Sequence, residues 1–424
     1  MFNSYICALD IGCSKITACV MQIQARRVTN LFFESLVSKG IKKGVVVDSI
    51  DLVNTLSRIL KNLKDKSGIN IKSVYANICG QEITTKYSHA VIPLAERGNK
   101  VITAADINKV NEQARILGSS LDEEIIHRVP FSYTIDAASG LVNPLGLYSH
   151  RLEVDLFLIC AKLFSIQSLT RAVNQSGYEI KDLFLSGIAT SEVIFNEENK
   201  EGINILCDIG SDMTEILIFN NAALKHIEVV SIGGNDLTEE LAQALKIPFD
   251  LAEDVKRSYG MVGDYSQAKK ENEILVKKND VYKTIKQADV CDIVNAKAKS
   301  ICEAIKERID KAIPYSQINS FVVVGRSILL EGFLETLENT LGIPVKVGRI
   351  SLPLGARYAK EIAALINKDP SLAGQKYIKY ISSIGIVCNA LWNLQSQAIF
   401  SQGPQRNPIF GVINKVKEVY QEYF

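Results

Sequence analysis

Tyr5-Ile-Cys-Ala-Leu-Asp10-Ile-Gly12-Cys-Ser-Lys-Ile-Thr-Ala-Cys-Val20 returns in outline, nearly half the chain later, as Asn204-Ile-Leu-Cys-Asp208-Ile-Gly210-Ser-Asp-Met-Thr-Glu-Ile-Leu-Ile218. Each copy is an apolar run, Asp-Ile-Gly, a few small polar residues and a second β-branched run. That pattern predicts strand, tight turn, strand, with glycine where the backbone bends or meets a ligand. A turn offering backbone N–H groups makes a concave anion site, and a carboxylate just before it can hold hydrated Mg2+ through its waters. A single such hairpin is most often only a strand ending in a turn. A repeat of it decides architecture: two similar domains face each other, and the paired hairpins grip a nucleotide's phosphates and metal between them.

The 424 residues exceed one ordinary core, so several subdomains are expected. An apolar fraction of 47% with 22% charged residues is that of a soluble globular protein, and the net charge of +1 gives no pull toward nucleic acid or anionic membrane. Cys7, Cys19, Cys160, Cys207 and Cys388 sit inside apolar runs, as small hydrophobes of a reducing cytosol rather than a disulfide framework. His89, His127, His150 and His226 lack metal-ligand spacing, so no His/Cys metal centre is expected. No signal peptide opens the chain, and no apolar stretch is long enough to span a bilayer. Ile381 to Trp392 comes nearest but contains Ser382, Ser383, Gly385 and Asn389, and is expected as a buried element.

Outward from the hairpins, the pattern predicts a strand over 28–38, a helix over 49–67 (Leu52, Leu56, Ile59, Leu60, Leu63) and a strand over 74–79. From about Glu82 to Lys162 a small α+β insertion is expected, with a helix capped at Thr103-Ala-Ala-Asp106 and strands over 124–129, 133–136 and 152–160. A helix over 165–176, a strand over 183–185 and a helix near 189–195 follow. In the second half Gly233-Gly234-Asn235-Asp236 opens a helix, a charged stretch over 265–286 holds two short strands, and a core-facing helix spans 288–312. Strand Phe321–Val324 then ends in Gly325-Arg-Ser-Ile-Leu-Leu-Glu-Gly332, read as a strand feeding a helix whose N–H groups and dipole adjoin a ligand. Glu253 and Lys256 share a helix face; they form an exposed ion pair or hydrogen-bond a ribose.

Together these elements resemble the superfamily of actin, the 70-kDa heat-shock chaperones and the sugar kinases. In the insertion, Ile125-Ile-His127-Arg-Val-Pro130, Tyr133-Thr-Ile-Asp136, Gly140-Leu-Val-Asn143-Pro144-Leu-Gly146 and Arg151-Leu152-Glu153 resemble the bacterial FtsA family, as do Gly233-Gly-Asn-Asp-Leu-Thr238 and Ala252-Glu-Asp-Val-Lys-Arg-Ser-Tyr-Gly260. The resemblance implies an α/β fold: actin-like (ribonuclease H-like) duplicated domains around a nucleotide cleft, a small α+β insertion in the first domain and a C-terminal amphipathic helix. Residues 1–82 would open the first domain, 83–162 form the insertion and 163–198 continue that domain. The second domain would take 199–235, its smaller subdomain 236–311, and 312–350; residues 351–393 return to the first domain, 394–408 link, and 409–424 form the helix.

The resemblance further implies ATP and Mg2+ as ligands. Asp10 and Asp208 would hold the metal's waters. Gly12, Cys13, Ser14, Lys15, Gly210, Ser211, Thr214, Gly233, Gly234, Gly325 and Arg326 would surround phosphate and nucleotide, with Glu253 and Lys256 beside the ribose. Three departures stand out. Asp212 puts a carboxylate where phosphate approaches, which weakens ATP binding unless Mg2+ or rotation away relieves it. Arg326 replaces a glycine where the base should lie close, or stacks on that base. Leu185-Ser186-Gly187-Ile188-Ala189 lacks the family's acid and proline, so no catalytic residue is assigned and at most a weak ATPase is expected.

After Pro408, Ile409, Phe410, Val412, Ile413, Val416, Tyr420, Tyr423 and Phe424 give residues 409–424 a strongly apolar face opposite Asn414, Lys415, Lys417, Glu418, Gln421 and Glu422. The pattern predicts a helix lying on lipid, or docked on protein. Half-burying about eight large side chains yields on the order of 8 kcal/mol, and ordering the segment cancels much of that. One tail therefore binds reversibly and many tails on a polymer bind by avidity. The family's role would be to polymerise, with ATP as assembly ligand, and to tether the FtsZ ring, by its C-terminal peptide, to the cytoplasmic face of the cell membrane at the division septum. Other division proteins would be further partners. Alternatives of the same fold are a pilus-assembly scaffold and a small-molecule kinase.

Overall fold

The computed structural model describes residues 4–400 apart from 26, 96–97, 137, 196–198, 200, 265–271, 279–280, 354–355 and 357. The expected membrane helix 409–424 and residues 401–408 of the linker thus lie outside the described residues.

Each Asp-Ile-Gly repeat folds as the expected hairpin. Ser4–Ile11 pairs antiparallel with Lys15–Gln24, and Ile203–Ile209 pairs likewise with Thr214–Asn220. Each hairpin seeds a five-stranded sheet. The first runs Glu179–Leu185, Ser73–Ile78, Ser4–Ile11, Lys15–Gln24, Arg27–Val37; the second runs Val345–Val347, Ile318–Val324, Ile203–Ile209, Thr214–Asn220, Ala223–Val230. In both, two parallel strands join one side of the hairpin and an antiparallel third strand joins the other. The duplication read from the sequence is therefore a duplication of sheet topology.

Helices Ser186–Ile194 and Ile381–Phe400 fill the space between the two sheets. Leu206, Leu217 and Val324 of one sheet and Ala8, Cys19 and Met21 of the other share a core with Ala189, Ile384, Val387 and Leu391. The two helices touch backbone to backbone: a methyl group on Gly385 would run into the carbonyl of Ala189. This is why the apolar stretch 381–392 is buried, and among the described residues no helix is long and apolar enough to cross a membrane. The second helix reaches Phe400, so the linker expected from Leu394 begins as helix. Leu394-Gln-Ser-Gln-Ala-Ile-Phe400 carries no glycine or proline to stop it.

Between the halves of the first sheet, Ala138–Leu141, Glu123–Ile135, Arg151–Lys162 and Ile83–Pro93 form a separate four-stranded sheet. Helix Ala104–Leu117 packs on it, opened by a reciprocal Thr103/Asp106 capping box. The two strands expected over 124–129 and 133–136 are one, Glu123–Ile135. Pro130 does not break it, because the register slips there and leaves Phe131 unpaired, and a bulge needs no ladder donor from proline. In the second half, helices Gly234–Leu245, Phe249–Tyr259 and Gln287–Ala312 and the ribbon Glu273–Lys278/Val281–Lys286 build a smaller lobe.

One partly buried contact ties the insertion to the first sheet. The backbone N–H of Leu185 donates to Nε2 of His127 at 2.8 Å. Burial of the neutral ring pulls the His127 pKa from 6.5 down to about 4. The unfolded chain therefore takes up the proton first, so the contribution is complete above pH 6.5 and is lost as pH falls toward 4. At about 1.4 kcal/mol per pH unit this amounts to about 3 kcal/mol. Urea midpoints at pH 7.5 and 4.5 should thus separate more for the natural chain than for His127→Gln, which cannot titrate. Equal separations would refute the role of the imidazole.

Candidate functional site

Both Asp-Ile-Gly turns close in the same way. Gly12 N–H donates to Lys15 C=O at 3.1 Å and Gly210 N–H to Met213 C=O at 2.9 Å. A Cβ on either glycine would come within 2.9 Å of that same carbonyl, so the turn itself demands glycine. The turns face each other across a cavity of about 400 Å3. Asp10, Gly12, Cys13, Ser14, Lys15, Asp208, Gly210, Ser211, Gly234, Glu253, Lys256, Gly325 and Arg326 all line it, drawn from stretches distant in sequence.

Two expected members stand behind the wall. Thr214 is fully buried and its hydroxyl donates to Ile232 C=O at 2.9 Å, so it braces the second turn instead of meeting phosphate. Gly233 is pressed against the carbonyls of Gly210 and Ser211, where a Cβ would lie 2.6–2.7 Å away. Its role is to let helix Gly234–Leu245 start beneath the turn.

The floor is acidic. Asp10 accepts from Asn77 Nδ2 at 2.9 Å and Thr17 Oγ1 at 3.3 Å, and Asn77 also donates to Ser186 Oγ at 2.8 Å. Burial raises the Asp10 pKa, with Lys15 and Thr17 pulling it back. Asp208 is pushed up to about 6 by burial and then by the charge of Asp10. Glu215 is pushed up to about 8, by burial and then by Asp208. Its Oε2 accepts from Gly187 N–H at 3.0 Å, while its buried Oε1 has no partner among the described residues. The ammonium that favours the charged forms of Asp10 and Asp208 is Lys15, whose own pKa burial lowers to about 7 against the opposing pull of Asp10. Lys15 Nζ also donates to the carbonyl of Lys379.

Asn77, Ser186 and Glu215 are absent from the sequence-level site. Asn77 and Glu215 carried a signal, as polar residues inside apolar strands that need partners when buried. Glu215 also answers the missing acid of the linking segment, because it brings a carboxyl to Gly187 from the opposite sheet.

The departures resolve geometrically. Asp212 turns from the cavity's centre: Oδ2 accepts from Lys43 N–H at 2.8 Å and Oδ1 from Asn235 Nδ2 at 2.7 Å. Arg326 Nη2 donates to Ser14 Oγ of the first turn at 2.8 Å. The chain at Gly325 does not feed an α-helix either. A 3-10 turn, Arg326–Leu329, intervenes and the helix begins only at Phe333, so the expected helix dipole is not at the cleft. Glu253 and Lys256 are no surface pair. Lys256 Nζ spends its three donors on Gly234 C=O at 2.8 Å, Thr238 Oγ1 at 2.7 Å and Glu253 Oε2 at 2.6 Å. It clamps two helices together and has no donor left for a ribose, whereas Glu253 retains acceptor capacity.

Two sheets of one topology, closing from either side on a cleft with a carboxyl floor and a cationic mouth, define a duplicated actin-like protein. The fold is similar to that of a chain in the PilM-PilN type IV pilus biogenesis complex, with TM-score 0.61, 14% identity and coverage of 91% of this chain and 98% of that one. It is also similar to MreB5 of Spiroplasma citri bound to ADP, with TM-score 0.51, 10% identity and coverage of 94% and 99%.

Sequence comparison narrows the class. Residues 205–373 match the model of cell division protein FtsA, and residues 80–160 match the SHS2 domain inserted in FtsA. FtsA of Pseudomonas aeruginosa is 27% identical, over 81% of this chain and 82% of that protein; FtsA of Bacillus subtilis is 23% identical, over 93% and 85%. The chain belongs to the FtsA family and is an actin-like cell-division protein.

Proposed function

We propose that this protein binds Mg-ATP in the cleft, assembles into actin-like filaments with the nucleotide as assembly ligand, and tethers FtsZ to the cytoplasmic face of the cell membrane at the septum. One observation carries the reading: the cleft is bipolar. Its floor sets Asp10, Asp208 and Glu215 beside one ammonium, Lys15, while Arg257 and Arg326 line the same cavity. A cation bound to a polyanion complements both ends. Mg2+ fits the floor, since Glu215 Oε1 lacks a partner among the described residues, and burial, then a neighbouring carboxylate's charge, pushes Asp208 and Glu215 up. Among the described residues no three acidic, His or Cys side chains are set to hold a metal directly. Asp10 and Asp208 would therefore hold it through its waters, and when bound it would neutralise phosphate charge. The ADP carried by the related MreB5 fold supports a nucleotide as ligand.

The membrane attachment rests on the apolar face of residues 409–424, and the FtsZ contact on family membership, with the lobe over 236–311 as its expected seat. Immobilised FtsZ C-terminal peptide tests the partner. Retention of the full chain, competed by free peptide, is expected; a chain that passes through unretained refutes the tethering role.

A further inference from the structure

Arg326 is a cation whose partner is a neutral hydroxyl. Its bond to Ser14 is the one hydrogen bond its side chain makes among the described residues, although a guanidinium carries five N–H donors. Lys15, Lys256, Arg257 and Lys379 stand close enough to repel it. The carboxylate nearest it, Glu253, already accepts from Lys256, Arg257 and Thr238. Asp212, the other acid at the cleft mouth, is tied to Lys43 N–H and Asn235. A partly buried guanidinium whose one bonded partner is a neutral hydroxyl is costly unless an anion arrives.

The backbone around Arg326 is pinned, and its side chain is held by the one bond to Ser14. Gly325 has φ 95°, and a Cβ there would strike the Ile209 carbonyl and come within 2.9 Å of Asp208 Oδ1. Ser327 Oγ donates to Gly210 C=O at 3.0 Å. The turn is thus pinned on both sides of Arg326 to the second hairpin, and the guanidinium alone crosses to the first. Exchanging Ser14 for another acceptor requires side-chain rotation only.

We propose that Arg326 is a phosphate-binding residue of this cleft, holding Ser14 while the cleft is empty and passing to the phosphate chain of a nucleoside polyphosphate that enters. The assignment rests on the nucleotide reading above and specifies which part of the nucleotide this residue recognises. The guanidinium fork matches phosphate oxygens, and charge-assisted bonds are about twice as strong as the neutral bond surrendered.

Calorimetric titration of the full chain with ATP, ADP, AMP and inorganic tripolyphosphate, each with Mg2+, tests it. For Arg326→Gly, ATP and tripolyphosphate affinity should fall about tenfold or more while AMP affinity changes less than about twofold. Arg326→Met, which keeps the aliphatic packing, should behave alike if the glycine variant folds poorly, and Arg326→Lys should fall between. ATP binding as tight or tighter in Arg326→Gly and Arg326→Met would overturn the proposal and make Arg326 a plug. If the natural chain binds tripolyphosphate through Arg326 but no nucleotide, the nucleotide reading fails and the phosphate assignment stands. If it binds neither, the assignment falls as well.

Discussion

Truncation after Asn407 is expected to abolish sedimentation of this protein with lipid vesicles while leaving the actin-like body folded. The removed segment carries its large apolar residues, Ile409, Phe410, Val412, Ile413, Val416, Tyr420, Tyr423 and Phe424, at helical spacing. The other strongly apolar helix, from Ile381, is packed between the sheets as far as Leu391. Lys415 and Lys417 are offset by Glu418 and Glu422, so binding rests on insertion more than on charge. It should persist on neutral phosphatidylcholine and tolerate salt, unlike a polybasic anchor. With tails arrayed on a polymer the loss should be effectively complete, since avidity vanishes with the tail. Equal pelleting of the truncated and full chains would show that the tail docks on protein.

Replacing Asp208 by asparagine should cut Mg-ATP affinity by on the order of 10–100-fold, the range seen when a group that orders a metal's surroundings is lost. The substitution keeps shape and removes one of the three carboxyls of the cleft floor. Asp208 shares the field of Lys15 with Asp10 and is raised to about 6 by burial and by Asp10, so a neutral amide also relieves repulsion in the empty protein. Two results should therefore appear together: ATP affinity with Mg2+ falls, and ATP affinity in EDTA holds or improves, because less negative charge opposes the phosphates. Titration calorimetry in the two buffers separates them. An unchanged dependence on Mg2+ would remove the ion from this floor.

The frame of the molecule was legible because it is written locally. Period-two apolar runs on either side of Asp-Ile-Gly determine a hairpin whichever sheet it joins, and finding it twice predicts the paired sheets. The insertion helix was legible from its Thr103/Asp106 cap, and the buried stretch 381–392 from the polar interruptions that disqualify it as a membrane span. What escaped depends on long-range neighbours. Asn77 reaches Asp10 from a strand 67 residues away, and Glu215 meets Gly187 from the opposite sheet. Spacing alone cannot reveal that Lys256 spends every donor on its own lobe, or that Arg326 crosses to Ser14. The helix expected at Gly325 failed for a local reason: Gly332 follows only seven residues later with φ 75°, and the segment between has room for a 3-10 turn alone.

Mg-ATP in the cleft is expected to govern assembly on the membrane. Negative-stain microscopy of the full-length protein on lipid monolayers, with Mg-ATP, with EDTA alone, and for Asp208→Asn with Mg-ATP, tests it most directly. Filaments from the natural chain with Mg-ATP, and few or none in the other two samples, are the predicted result. Filaments of equal number and length in all three would contradict it, leaving a membrane-bound actin-like polymer that assembles without regard to its cleft.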